Sequence, residues 1–259
     1  AQRKDSAAFE AEWAKEGKAL AVSSPDAPRS LRPAAVQALS EASQPQIRGF
    51  YDASLEYGRN TMPLFGLFYI GASRGERDFI AFLRTLSEPA PKPPSALRPL
   101  AAELDALETD LLAAYRPPAS IDRHSEFIGA SATLNEARQL DAAGLRSGAL
   151  LRYLQAALRI APLRTAPAAA PSADVLGKEL RELEARLDAS RADDTIGRIF
   201  LQSAQSEVGA VASGGNLATA AAIARDVLPR YFAALEPAAP APSRPPAQVT
   251  VTLVRWPYT

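Results

Sequence analysis

The residues best equipped for chemistry are few. His124 is the only histidine, so any mechanism that needs imidazole must pass through it. Asp122 precedes it by two positions, and Ser120 and Ser125 flank the pair. Together they supply the residue types of a nucleophilic triad. Positions i and i+2 of a helix point to different sides, however. The expectation is that these four are polar residues at a helix start. Asp193 and Asp194 are adjacent carboxylates, a pairing used in acid–base catalysis and in hard-metal sites. They stand just before a helical pattern at Thr195, where acidic side chains offset the positive end of the helix dipole. That role is the expectation for them. Ser213-Gly214-Gly215-Asn216 would offer free N–H groups to an anion. It lacks the Lys-Ser/Thr and the preceding strand of a phosphate loop, so it reads as a turn between helices. Glu103, Glu108, Glu179 and Glu184 read as solvated faces beside leucine stripes.

Composition narrows the chemistry further. Cysteine is absent. That excludes disulfides, thiolate metal sites, iron–sulfur clusters and a cysteine nucleophile. One histidine excludes a multi-histidine metal site. No catalytic residue, metal ligand or cofactor is expected, and the chain reads as a non-enzyme. Lys+Arg and Asp+Glu each number 29, so no basic excess draws the chain to nucleic acid.

The elements that would position these residues are helices. Of 259 residues, 54 are alanine, the strongest helix former, and proline punctuates the chain at 25–28, 89–99, 117–118, 162–171 and 237–246. Leu97, Leu100, Leu104, Leu107, Leu111 and Tyr115 step by three and four, one stripe of a helix that Ser95 would cap and Pro117 would end. A second helix is expected from about Ile121 to Ala143, capped by Ser120, and a third after Gly144 that stops before Pro162. Met62 to Ala72 is an apolar run of eleven residues, too short to cross a bilayer, and reads as a buried helix. An N-terminal helix carries Phe9, Trp13 and Leu20 on one side.

The helical blocks look related. Residues 103–111 and 179–187 match at five of nine positions, and 47–86, 121–160 and 196–235 are 40-residue stretches starting 74 and 75 residues apart. Each ends before a proline-rich linker. The expected fold is therefore all-α: a stacked antiparallel helical repeat of three related units of about 75 residues, at 25–88, 95–162 and 172–236. The first unit holds eight of the 18 aromatic residues. Tyr51, Tyr57, Arg59, Phe68, Tyr69 and Phe82 would line a ligand pocket there if the rings converge.

In Gly144, Ala149, Tyr153, Ala156 and Pro162, the order small, small, aromatic, small, proline resembles the turn and second helix of the tetratricopeptide-like repeat. Pro162 falls one residue late, and the family's Trp and Gly-aromatic positions are missing from the first helix. The resemblance implies a concave surface that binds a protein or peptide.

The C-terminus is different in kind. A Pro/Ala linker over 237–247 leads to Val249, Val251 and Leu253 alternating with Thr250, Thr252 and Val254. That period of two with β-branched residues is the pattern of a strand. A lone strand must pair with another chain, lie along its own helices or stay disordered. The leading expectation is pairing in trans, with Val249, Val251, Leu253, Arg255, Trp256 and Tyr258 as partner-binding residues. The partner would be another protein or a second copy. The opening Ala1-Gln2 and the lack of cysteine fit a mature exported chain, periplasmic or secreted. The function expected from these features is that of an accessory or scaffold subunit; a carrier or enzyme with an aromatic pocket, or a self-assembling structural subunit, are the alternatives.

Overall fold

The computed structural model describes residues 32–59, 62–88, 92–117, 120–164 and 171–235. These residues are mostly helical and form no sheet, so the fold is all-α. The helices are α1 (Pro33–Ala42), α2 (Gln44–Arg59), α3 (Pro63–Thr85), α4 (Ala101–Ala114), α5 (His124–Ala142), α6 (Arg146–Arg164), α7 (Ala173–Asp188), α8 (Thr195–Gly209), α9 (Leu217–Ala222) and α10 (Leu228–Ala234). A π-helical turn, Ile223–Val227, joins α9 to α10 without a break. Each of the three expected spans contains a run of three helical segments. Their packing differs from span to span: α2 and α3 form a hairpin touching little else, while α4 to α10 share one core.

Helix α6 is the centre of that core. Ala149, Leu150, Tyr153, Leu154, Ala156, Ala157 and Ile160 are all buried, α1, α4, α5 and the α9–α10 segment pack around them, and a strip with Arg159 and Pro162 reaches solvent. Such a helix must present small residues wherever a neighbour's backbone comes close. Gly148 shows how close. A Cβ there would lie 2.6 Å from the Glu41 Cβ and 2.7 Å from the Ala42 nitrogen. The α1–α6 junction is also polar in both directions. The Gly148 N–H donates to the Glu41 carboxylate (2.7 Å), and Arg152 donates to the Ala42 carbonyl at the end of α1 (3.1 Å). A carboxylate thus meets the positive end of α6 and a guanidinium the negative end of α1.

Local signals explain several boundaries. Gly144, at φ 76°, closes α5: its N–H bonds the Asp141 carbonyl and the Leu145 N–H bonds the Leu140 carbonyl. This left-handed cap satisfies two of the orphan carbonyls and frees the chain to turn into α6. Ser172 caps α7 through the Val175 N–H, and Asn216 caps α9 through the N–H groups of Ala218 and Thr219.

Three sequence expectations are corrected. Helix α6 does not stop before Pro162 but runs through it to Arg164. The proline removes one hydrogen bond near the helix end, and Arg123 donates to the Pro162 carbonyl (2.6 Å), which ties the last turn down. Ser95 does not cap a helix, because α4 begins only at Ala101. Ser120 does not cap α5; its hydroxyl accepts from the Arg116 N–H.

The residues from Lys92 to Leu100 are no loose spacer. They form an extended strap across the last unit. Lys92 donates to the Ser190 carbonyl, the Asp193 N–H to the Pro93 carbonyl (2.7 Å), and the Arg98 N–H to the Ala234 carbonyl. Leu97 faces Leu235 in an antiparallel bridge. The stripe Leu100, Leu104, Leu107 and Leu111 then enters the core as expected, with Leu97 and Tyr115 just outside the helix.

The α1–α6 junction gives a sharp test. Gly148→Ala should destabilise the fold by about 1–3 kcal/mol, because the methyl group meets backbone and Cβ atoms that cannot swing away. Chemical denaturation of the variant beside the native chain measures it.

Candidate functional site

The polar constellations resolve into structural roles. His124 is exposed and its Nδ1 lies 2.7 Å from the Tyr115 hydroxyl, while Tyr115 stacks on Phe127 at 4.2 Å between ring centroids. Asp122 and Ser125 are exposed, and no triad assembles. Glu108 pairs with Arg138 (2.6 Å) and Glu179 with Arg225 (2.7 Å). Hydrogen bonds from these guanidiniums hold both carboxyls below their ordinary range. Ser213 to Asn216 is a turn, with Gly214 at φ 101°, as the sequence suggests.

Asp194 exceeds its sequence expectation. It precedes α8 and is almost fully buried, 3 % exposed. The Tyr231 hydroxyl donates to its Oδ1 (2.6 Å), and so does the Ser95 hydroxyl (3.0 Å). Burial, reinforced by the Asp194 charge, pushes the Tyr231 phenol far above its ordinary range, so it stays a neutral donor. Asp194 therefore fastens the strap, α8 and α10 to one another. A cavity of about 20 Å³ beside Ser95, Asp193 and Tyr231 has no room for an organic substrate.

A second cluster spans α4, α6 and the π-helical turn. Arg164 binds Asp110 (2.7 Å) and Asp226 (3.0 Å), and Arg230 binds Asp226 (2.7 Å) and the Tyr153 hydroxyl (3.0 Å). Burial opposes the Arg230 charge, but the bonds to Tyr153 and Asp226 outweigh it and raise its pKa. Two cations and two anions cancel here, so the cluster joins helices and offers no net charge to a ligand. Among the described residues no three of His, Asp and Glu gather as a metal site.

Asp193 Oδ2 and Asp194 Oδ2 are buried without a hydrogen-bond partner, and the larger open surface is apolar. The hairpin of α2 and α3 is packed through its smallest residues. A Cβ at Gly66 would lie 3.0 Å from the Ser54 carbonyl oxygen and 3.1 Å from Gly58 Cα, so the two backbones nearly touch there. Ser54 and Ser73 are buried in the same seam, and the Ser73 hydroxyl donates to the Ile47 carbonyl (3.2 Å). Nearer the body, Ile80 and Leu83 pack on Val36 of α1. Gly66, Ser73 and Ile80 recur every seven residues, two turns, so one face of α3 is consumed.

The large side chains therefore point away. Leu64, Phe68, Phe79 and Phe82 are 76 %, 67 %, 54 % and 57 % exposed, and all lie on the face opposite the seam. Between them on that face are Gly71 and Gly75, where an added Cβ would meet nothing within 4 Å. Leu67 and Phe65 extend the exposed surface on either side. The face thus has two exposed apolar ends joined by glycines.

The aromatic residues expected to line a pocket are placed otherwise. Tyr57 stacks on Tyr69 at 5.3 Å, and Phe68 meets Tyr69 edge-on at 5.4 Å. Arg59 is exposed at the end of α2, and Tyr51 and Phe82 are exposed as well. Phe68 and Phe82 are four turns apart, roughly 21 Å along the axis. Tyr57, Phe68 and Tyr69 meet, but the six residues enclose no common volume, because glycine and serine fill the centre of the seam. An open groove of about 720 Å³ lies instead at the hairpin root, beside Val36, Ser40, Glu41 and Arg84. Its polar groups are already paired, Arg84 to Ser40 (2.8 Å) and Glu41 to Gly148. Met62 to Ala72 is likewise corrected: the helix is there, but Met62, Leu64, Leu67 and Phe68 are exposed. The sequence signal for this surface was the absence of charge from Met62 to Ser73, which distinguishes apolar residues from polar ones but not buried from exposed. The partner-binding residues expected in the tail, Val249 to Tyr258, lie outside the described residues, as do Phe9, Trp13, Leu20 and Asn60.

No described helix is long and apolar enough to cross a membrane. No family model, characterised protein or solved structure matches the chain.

Two predictions separate the buried polar contacts from the exposed apolar face. Tyr231→Phe should lower stability by about 1–3 kcal/mol, since it strips a hydrogen bond from a buried carboxylate. In the monomer, Leu64→Ala should stay within about 0.5 kcal/mol of the native chain, whereas Leu107→Ala should cost about 2–5 kcal/mol. Urea titration of each variant measures both, and a large loss from Leu64→Ala would contradict the exposure of that face.

Proposed function

We propose that this protein is a non-enzymatic binding or assembly subunit. Its helical body is a scaffold and its first hairpin a docking element for another protein. The observation that carries this reading is the outer face of α3, where Leu64, Phe68, Phe79 and Phe82 are exposed on a helix whose opposite side is closed by a tight seam. An apolar face left open on an otherwise well-packed body is stable in water only at the cost of ordered solvent, and a partner's apolar surface removes that cost. Two features of the composition agree with a docking role. The neutral net charge leaves no field to gather nucleic acid. The polar clusters around Asp194 and Arg230 are spent on holding helices together.

The proposal extends to features read from the sequence. The three helical spans are related units of a tetratricopeptide-like scaffold. The tail carrying Val249, Val251, Leu253, Arg255, Trp256 and Tyr258 is a second anchoring element that adds a strand to its partner. The chain works outside the cytoplasm, periplasmic or secreted.

The test compares three chains as bait in extract of the native cell: the full chain, the Leu64→Glu/Phe68→Glu double variant, and a chain ending at Pro246. The double variant should keep its circular dichroism and Tm yet lose the protein captured by the full chain. Loss on truncation at Pro246 would assign part of the affinity to the tail. Undiminished capture by the double variant would overturn the hairpin as docking element.

A further inference from the structure

The outer face of α3 has an internal symmetry that names its occupant. In chain order it reads Leu64, Phe68, Gly71, Gly75, Phe79, Phe82: two large apolar residues, two glycines, two large apolar residues. The order is the same read backwards, about a centre level with residue 73. From this we infer that α3 pairs with α3 of a second copy, antiparallel, across a twofold axis at that level. The inference rests on the reading of this face as a docking surface and adds to it the identity of the partner.

The register follows from the residues. Antiparallel pairing sets Leu64 beside Phe82 of the other copy, Phe68 beside Phe79, and Gly71 beside Gly75. A surface that meets itself about a twofold axis must be self-complementary in this way. The centre is shaped for close approach. Gly71 and Gly75 are four apart on one face with nothing within 4 Å of either added Cβ. Small residues at this spacing let two helix backbones come together, with the larger side chains closing around the crossing. The direction follows from the body. The chain enters the core beyond the C-terminal end of α3, where Ile80 and Leu83 pack on Val36. Parallel pairing would drive two bodies into the same space, whereas antiparallel pairing places them at opposite ends. It also sets opposed helix dipoles side by side.

The area is of the right order. With exposures of 54–76 %, the four large side chains offer roughly 500 Å² per copy, about 1,000 Å² for the pair. That is the lower edge of a specific interface and describes a reversible dimer. A lipid surface suits the face less well: the charged pair Arg74 and Asp78 borders it between its two apolar ends. For a protein interface, charges beside an apolar strip are an ordinary rim.

The chain has no cysteine, so a single engineered thiol reports one position. Gly71→Cys and Gly75→Cys both fall where the side chain meets open space. The expected result is that the full chain runs as a concentration-dependent dimer in light scattering, and that mixed Gly71→Cys and Gly75→Cys proteins form a disulfide dimer in several-fold higher yield than either alone. Higher yield from either variant alone would mean parallel pairing and overturn the proposal. A chain that stays monomeric overturns it too, and the rate of thiol labelling then decides the broader reading. Fast labelling leaves an open docking face for a different protein. Slow labelling means that the chain covers its own face, for example with the segment carrying Phe9, Trp13 and Leu20, and removes the docking reading as well.

Discussion

The packing of α6 against α1, α4, α5 and the α9–α10 segment is the constraint on which the rest depends. A helix with neighbours around most of its circumference can place bulk freely on only a narrow strip, so its other residue sizes are dictated by the distances of those neighbours. Gly148, Ala149, Ala156 and Ala157 are small where α1 and the surrounding helices approach, and Leu150, Leu154 and Ile160 fill the wider gaps. The ends of α6 carry a second demand, since buried polar groups must find partners. Glu41 answers the Gly148 N–H and Arg123 the Pro162 carbonyl. α1 and the turn before α5 are thus located by the needs of α6 as much as by their own sequences.

The hairpin uses the same rule with the opposite outcome. Gly58, Gly66, Ser54 and Ser73 let α2 and α3 meet backbone to backbone. A seam that tight keeps rings to its edge, where Tyr57 stacks on Tyr69, and leaves Leu64, Phe68, Phe79 and Phe82 on the outside. In α6 small residues bring neighbours in around the helix. In α3 they bring in one neighbour, and a second set, Gly71 and Gly75, waits on the far side without one. The difference between the core helix and the exposed one lies here in how many of their small-residue faces are already occupied.

The polar clusters around Asp194 and Arg230 join helices. Asp194 is buried at a helix start, yet its two hydroxyl donors come from the strap before α4 and from α10. Arg164 and Arg230 bind the same two aspartates from different helices, and the π-helical turn carries Asp226 into reach of both. Such networks cost desolvation that neutral packing would avoid, and what they add is specificity of position. They fix how the last span sits on the middle one, as Glu41 and Arg152 fix the first.

The sequence by itself determined the helical class, because alanine content, leucine spacing and the caps at Gly144, Ser172 and Asn216 act within a few residues of themselves. It also determined that Leu100, Leu104, Leu107 and Leu111 share one face, since 3.6 residues per turn is a property of the chain. It marked the first span as the aromatic one. Tertiary structure alone decided which apolar residues are buried. Met62 to Ala72 carries no charge on any face, so periodicity had nothing to orient; the approach of Gly66 to Gly58 chose the inner side and left Leu64 and Phe68 outside. Tertiary structure likewise decided that Ser95 serves Asp194 rather than a helix end, that the residues from Lys92 to Leu100 strap rather than link, and that a proline is tolerated in the last turn of α6. The deciding partner lies eight residues away for Gly66 and tens of residues away for Ser95 and Pro162, and the local pattern of a chain holds no record of a contact made between helices.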